Sequence, residues 1–108
     1  MKNDGIEVVN DTFYAILMNF ELRYNKPLRA LAWMEEMREK TISLVSNQMS
    51  NNAFVVCLRT VAAARGSIEE PIKMLADYKR SGGIVRYEHF EAIARGLAYV
   101  FASSHSLN

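Results

Sequence analysis

The chain has 108 residues and a formal net charge of +1, with 50% hydrophobic and 23% charged residues. This length suits one domain that buries a core without a metal or disulfide, and the composition excludes a disordered chain. The near-neutral charge gives no strong field for nucleic acid or an anionic membrane, and no apolar run approaches the roughly 18 residues of a membrane span. The start of the chain, MKNDGIEVVND, is unlike a signal peptide, and the single Cys57 fits a reducing compartment, so we expect a cytoplasmic protein.

Residues 1–10 contain Gly5 and mixed charges, and we expect a flexible arm there. A first helix is predicted from Asn10 or Asp11, since either can cap it. Its apolar residues at i, i+3, i+4 and i+7 predict a stripe made of Phe13, Ile16, Leu17, Phe20 and Tyr24. A second apolar set lies beside that stripe, namely Tyr14, Met18 and Leu22. Asn19, Glu21 and Arg23 are left for solvent.

Pro27 predicts the start of a second helix, because proline is tolerated at the first helical position, where its missing N–H has no partner. The helical pattern continues to about Gln48. Its apolar face consists of Ala30, Trp33, Met34, Met37, Thr41, Leu44 and Val45, with charged residues opposite. The polar run from Ser46 to Asn52, interrupted only by Met49, then predicts a loop.

The run NNAFVVCLRTVAAARG, residues 51–66, predicts a central buried helix over residues 52–65. Between Ala53 and Ala64 only Arg59 and Thr60 are polar, so a helix here presents apolar surface in nearly every direction. A strand is the alternative, since a short apolar run cannot be assigned by periodicity alone. The length of the run and its alanines favour the helix, and Gly66 is placed to end it. Cys57 is predicted to be buried and unreactive.

Ser67 and Glu70 have the spacing of a capping box, in which each side chain bonds the other residue's backbone N–H. They predict a fourth helix with Pro71 in its first turn, ending near Arg80 before Gly82-Gly83. A last helix is predicted from Tyr87 or Glu88 to about Ala102, with Gly96 allowing a close helix crossing. Residues 103–108 are expected to fray. The predicted fold is therefore a compact all-α bundle of about five helices in one domain, residues 11–102.

No constellation of residues points to catalysis, a metal or a cofactor. His105 lies in the tail, and His89, between Glu88 and Glu91, is interpreted as a surface residue without the partners that a catalytic base requires. One cysteine and two scattered histidines are too few for a zinc site. The Ser81-Gly82-Gly83 turn lacks the lysine and hydroxyl of a phosphate-binding loop. We therefore expect a protein that is not an enzyme and binds no cofactor.

The function that this pattern favours is that of an interaction or regulatory protein acting through an apolar helical face. The apolar faces of several helices are wider than a monomer of this size easily covers, and the six methionines suit adaptable contacts. We expect the partner to be a protein or a second copy of this chain in a homo-oligomer. The contact strip would be Tyr14, Met18 and Leu22, or Trp33, Met34 and Met37. The alternative is that both strips belong to the core.

A second hypothesis is nucleic-acid binding. The fourth helix, the glycine turn and the last helix have the outline of a helix-turn-helix. Basic groups interleaved with aromatic rings can bind phosphate and stack on bases. The residues that would do so are Tyr78, Lys79, Arg80, Arg86 and Tyr87. Glu88 and Glu91 count against this hypothesis, because they carry negative charge on the would-be recognition helix.

Overall fold

A computed structural model of the chain describes residues 11–40 and 51–106, and the side chains of residues 12–39 and 51–100. This part of the chain forms five α-helices and no strand: α1 (Asp11–Arg23), α2 (Pro27–Lys40), α3 (Asn51–Arg65), α4 (Glu69–Arg80) and α5 (Tyr87–Ser106). The predicted all-α, single-domain fold is confirmed. The predicted arm at residues 1–10, the continuation of the second helix to Gln48 and the polar run before Asn51 lie outside the described residues.

The central position predicted for α3 is confirmed, because α3 contacts each of the other four helices. From Ala53 to Ala63, only Val55 and Arg59 are partly exposed. A helix with apolar residues on every side must be covered on every side, and the four neighbours provide that cover. The strand alternative is excluded for this segment.

The core consists of two clusters of buried side chains that meet at α3. The first cluster joins α1, α2 and α3 and includes Tyr14, Met18, Leu22, Met34, Met37 and Val61. The second joins α3 to α4 and α5 and comprises Phe54, Leu58, Ala62, Leu75, Ala92 and Ile93. Helices α4 and α5 each pack on α3 and share few contacts with each other.

Gly96 lies where α5 crosses α3. A Cβ atom at this position would lie 2.7 Å from the Cβ of Ala62 and 3.1 Å from the backbone nitrogen of Ala63. Neither distance leaves room for a methyl group in a close-packed interior. The close crossing predicted from Gly96 is therefore confirmed, and the small residues of α3 form the other side of it.

Residues with left-handed backbone angles follow three of the described helices. Asn25, Gly66 and Gly82 have φ values of 60°, 66° and 101°. After α4, the Gly83 N–H donates to the Tyr78 carbonyl at 2.9 Å, and the Gly82 N–H donates to the Lys79 carbonyl at 3.0 Å. These two bonds form a Schellman motif, which satisfies carbonyls left open at the helix end.

The predicted capping box at the start of α4 is wrong as a reciprocal pair. Ser67 Oγ accepts a hydrogen bond from the Glu69 N–H at 3.1 Å. Glu70 instead pairs with Arg65, whose Nε lies 3.1 Å from its carboxylate. Because α4 begins at Glu69, its N-cap position falls on Ile68, which makes no side-chain cap bond. At the other end of the chain, α5 continues to Ser106, past the end predicted near Ala102.

Candidate protein-interaction site

The apolar strip predicted to contact a partner lies in the core. Tyr14, Met18 and Leu22 are at most 1% exposed, and Met34 and Met37 are at most 2% exposed. The expectation that they form an exposed strip is therefore wrong, and the alternative, that they are core residues, is confirmed. The physical reason is that this face of α1 packs against both α2 and α3, whose apolar faces it covers.

Trp33, the remaining residue of that strip, is partly buried at the contact between α1 and α2. Its Nε1–H donates to Glu21 at 3.1 Å, and the Tyr14 hydroxyl donates to Glu36 at 3.1 Å. The hydrogen bond from Trp33 lowers the pKa of the Glu21 carboxyl below its usual value; burial opposes the shift, and the nearby Arg29 adds to it. Trp33 therefore ties the two helices together through a charged acceptor.

Helix α1 exposes a different apolar face. Ile16 is 62% exposed and Phe20 is 55% exposed, and Phe13 and Tyr24 are exposed beside them. We call these four residues the α1 stripe. Its three aromatic side chains alone expose roughly 300 Å², since each has about 150–250 Å² of surface. A contiguous patch of this size on a monomer is often a binding site.

A hollow of about 280 Å³ lies along the α1 stripe, lined by Ile16, Asn19, Phe20 and Arg23. The side-chain oxygen of Asn19 accepts a hydrogen bond from Arg59 Nη2 at 2.9 Å, which ties this edge of the hollow to α3. Apolar side chains beside a polar and basic border are the composition expected of a protein interface.

The polar residues of α1 carry the signal that distinguishes its two apolar faces. Ile16, Asn19, Phe20 and Arg23 are spaced i, i+3, i+4 and i+7, so they share one side of the helix. Asn19 and Arg23 therefore mark the side that faces water. Glu21 lies on the opposite, buried side, where Trp33 supplies its hydrogen bond. The signal in the sequence is therefore the spacing that places Asn19 and Arg23 on the same side as Ile16 and Phe20.

Tyr78, predicted as a nucleic-acid contact, packs its ring against two other rings. Its ring stacks on Phe54 with centroids 4.4 Å apart. The His89 ring meets it edge to face at 5.3 Å, and a Cβ at Gly83 would lie 2.5 Å from the ring, so only glycine fits there without a shift. Base stacking requires an open aromatic face, and the face of Tyr78 that stacks on Phe54 is not open.

The other four residues of that prediction surround the glycine turn at the surface. Lys79, Arg80 and Arg86 are exposed, and Tyr87 is 80% exposed. Arg80 is paired with Asp77, whereas the side chains of Lys79 and Arg86 form no ion pair with a described residue. Helices α4 and α5 pack mainly on α3, and the Tyr78 and His89 rings meet between them at 5.3 Å, so their mutual contact is smaller than that of the two helices in a helix-turn-helix.

His89 is fully buried, so its interpretation as a surface histidine is wrong. Its Nδ1 accepts a hydrogen bond from the Arg86 backbone N–H at 2.9 Å, which places the ring proton on Nε2. Nε2 lies 2.9 Å from the side-chain oxygen of Asn51 and donates to it. Burial lowers the pKa of His89; Glu88 opposes the shift and Arg86 adds to it. With both ring nitrogens engaged, His89 fixes the start of α5 to the start of α3.

A hollow of about 530 Å³ lies at the start of α4, between charged side chains that include Arg65, Glu70 and Lys73. Cys57 is buried, as predicted. Within residues 11–40 and 51–106, no three His, Cys, Asp or Glu side chains gather closely enough to hold a metal ion. None of the described helices is both long enough and apolar enough to cross a bilayer.

Comparisons with known proteins assign no family to the chain. No family model matches it, and neither a curated protein nor a solved structure does. The class of protein is therefore defined by fold and surface alone: over the described residues it is a small all-α bundle in which α1 exposes an apolar face.

Proposed function

We propose that this chain is a small non-catalytic interaction protein that binds a partner protein through the α1 stripe. The observation that supports this proposal is the exposure of Ile16 and Phe20 on a helix whose opposite face is almost completely buried. Covering roughly 300 Å² of apolar surface contributes about 7 kcal/mol before the costs of association. That is enough for the stripe to serve as the centre of an interface.

The spacing of the α1 stripe suits a helical partner. Phe13, Ile16, Phe20 and Tyr24 are spaced i, i+3, i+7 and i+11, so they lie on one side of a helix, and they extend about 16 Å along it. A partner helix lying along α1 would contact all four residues.

The chain's one cysteine, buried within α3, suits a reducing compartment, so we place this interaction in the cytoplasm.

The test compares two matched double variants of the tagged chain in capture from its host lysate after nuclease treatment. Ile16→Ser/Phe20→Ser removes an aliphatic and an aromatic side chain from the α1 stripe. Leu28→Ser/Phe90→Ser removes the same two kinds of exposed side chain from α2 and α5. We expect the wild type and the Leu28/Phe90 variant to capture the same protein, and the Ile16/Phe20 variant to capture at least tenfold less of it.

Retention of that protein by the Ile16/Phe20 variant, with the fold verified by circular dichroism, would exclude the α1 stripe as the binding site. Sedimentation of the free chain over a range of concentrations tests self-association, the other form of this proposal. A dimer that Ile16→Ser/Phe20→Ser dissociates would make a second copy of the chain the partner.

Nucleic-acid binding remains the second candidate function, because Tyr87 is exposed and the neighbouring Lys79 and Arg86 have no described counter-ion. The same capture experiment separates the two candidates. Nucleic-acid binding is favoured if the captured molecules disappear on nuclease treatment and are not captured by a Lys79→Ala/Arg86→Ala variant. Each phosphate contact removed would also reduce the slope of log affinity against log salt by about 0.9.

A further inference from the structure

Arg59 is a partly buried cation that no described carboxylate neutralises. Its Nε is shielded from solvent and has no hydrogen-bond acceptor. Its Nη2 donates to Asn19, which is a neutral amide, at 2.9 Å. Among the described residues, no carboxylate forms an ion pair with Arg59. A buried charge is normally paired, because removing it from water is costly. The described residues therefore supply no counter-charge at a position that calls for one.

A second arginine and a tyrosine stand beside Arg59. Arg95 and Tyr99 lie one turn apart on α5, and with Ala98 and Arg59 they line a hollow of about 270 Å³. Arg95 pairs with Glu91 at 3.1 Å, and because this pair is partly exposed to solvent it is weakly held. Burial lowers the pKa of the Arg59 guanidinium; Tyr99 opposes the shift and Arg95 adds to it. An anion in this hollow would attract Arg59 and so offset the cost of its burial and the repulsion from Arg95.

The hollow at Arg59 adjoins the α1 stripe. Asn19, the acceptor of the Arg59 hydrogen bond, also lines the hollow that contains Ile16 and Phe20. The border of the stripe is therefore basic, with Arg23 on α1, Arg59 on α3 and Arg95 on α5. A partner that covers the stripe brings its own flanking residues to these arginines.

The volume of the hollow at Arg59 and the positive charge around it limit which kinds of group can bind there. A hollow of about 270 Å³ is below the range of roughly 300–1,000 Å³ typical of small-molecule sites, so it suits one side chain better than an organic ligand. The described side chains of α1 include one acid, Glu21, and it is buried. Two copies meeting through this face would place arginine against arginine, and like charges across an interface are strongly unfavourable.

We propose that Arg59 binds a carboxylate of the partner that covers the α1 stripe, and that this partner is an acidic amphipathic helix and not a second copy of the chain. The inference rests on the proposed function of the stripe. A guanidinium and a carboxylate form charge-assisted, often bidentate hydrogen bonds, and these also fix orientation. The aromatic and aliphatic stripe supplies the contact area, and Arg59 selects an Asp or Glu at the edge of the partner's apolar face.

The test uses two synthetic helical peptides with the same leucine-based apolar face, flanked by glutamate in one and by glutamine in the other. Each is titrated by fluorescence anisotropy into the full wild-type chain, Arg59→Gln, Arg59→Lys and Arg80→Gln. We expect the glutamate peptide to bind the wild type about tenfold tighter than the glutamine peptide, which corresponds to one charge-assisted pair. Arg59→Gln should abolish that preference without weakening the glutamine peptide. Arg59→Lys should retain part of the preference, and Arg80→Gln, at an exposed ion pair remote from the stripe, should leave it intact.

The outcomes separate the two proposals. If both peptides bind the wild type equally and neither binds Ile16→Ser/Phe20→Ser, the α1 stripe is the binding site but Arg59 does not select a carboxylate. A glutamate preference that persists in Arg59→Gln also overturns the assignment of Arg59. A chain dimer that both peptides fail to displace overturns the acidic partner in favour of a second copy. Absence of binding by either peptide to the wild type contradicts both proposals.

Discussion

The burial and hydrogen bonds of His89 could not all be predicted from its neighbours in the sequence. Arg86 occupies the position before α5, and the His89 ring accepts its backbone N–H, the role that Glu or Gln plays in a capping box. The second partner, Asn51, lies 38 residues earlier in the chain. Asn51 also donates to Glu88, so one amide holds two consecutive residues of α5. The cap position of His89 was visible in the sequence, whereas the contact with Asn51 depends on the fold.

The buried neutral ring predicts a dependence of stability on pH. The folded chain disfavours the charged form of His89, whose ordinary pKa is 6.5, so the unfolded chain binds more protons near that pH. Stability is then fully present above pH 6.5 and declines as the pH falls through it. Between pH 7.5 and 5.5 we expect the free energy of unfolding to fall by up to about 1.4 kcal/mol. Urea denaturation at the two pH values measures the change.

Two substitutions identify the residue responsible for that change. His89→Gln removes the titrating ring, so the difference between the two pH values should disappear whatever the variant's absolute stability. His105→Gln removes the other histidine and should leave the difference in place. A pH effect that survives in His89→Gln would show that another group causes it.

Some helix ends depend on the backbone conformation of one residue, and others depend on a pair of side chains. The sequence predicted the first kind of helix end better than the second. Gly66 and Gly82 end α3 and α4 because a positive φ is a local requirement. The capping box predicted from Ser67 and Glu70 does not form because Arg65, the last residue of the preceding helix, attracts Glu70. The close helix crossing predicted from Gly96 was correct, since a glycine inside a helix costs stability and is explained when a close approach requires it.

The corrected cap of α4 leads to a prediction from double-mutant cycles in urea denaturation. Ser67→Ala removes the acceptor of the Glu69 N–H and should cost about 0.5–1 kcal/mol. Because Ser67 and Glu70 share no bond, Ser67→Ala and Glu70→Ala should be additive within about 0.3 kcal/mol. Arg65→Ala and Glu70→Ala should instead couple by about 0.2–1 kcal/mol at low salt, and the coupling should vanish in high salt. If Ser67 and Glu70 are coupled and the coupling persists in high salt, the predicted capping box does form.

For the whole molecule, periodicity predicted the number of helices and the central place of α3, and it failed to choose between the two apolar faces of α1. Both faces satisfy the helical pattern, and the choice was made by packing against α2 and α3. Predicting the candidate site therefore required knowing which face is covered, and Asn19 and Arg23 indicate this because they share the side of Ile16 and Phe20. Arg59 is the one charged residue between Ala53 and Ala64, but only the fold shows that no described carboxylate pairs with it.

Because α3 contributes side chains to both core clusters, we expect the described helices to unfold in one transition. Leu58 is fully buried in the second cluster, and the single tryptophan, Trp33, packs against the first. Leu58→Ala leaves a cavity and should cost about 2–5 kcal/mol. The denaturation midpoint followed by Trp33 fluorescence should move to lower urea by the same amount as the midpoint followed by far-ultraviolet circular dichroism. Leu28→Ala, at an exposed position on Trp33's own helix, should change either midpoint by no more than about 0.5 kcal/mol equivalent. A Trp33 transition that stays in place while the circular dichroism transition moves would show that the two clusters unfold independently.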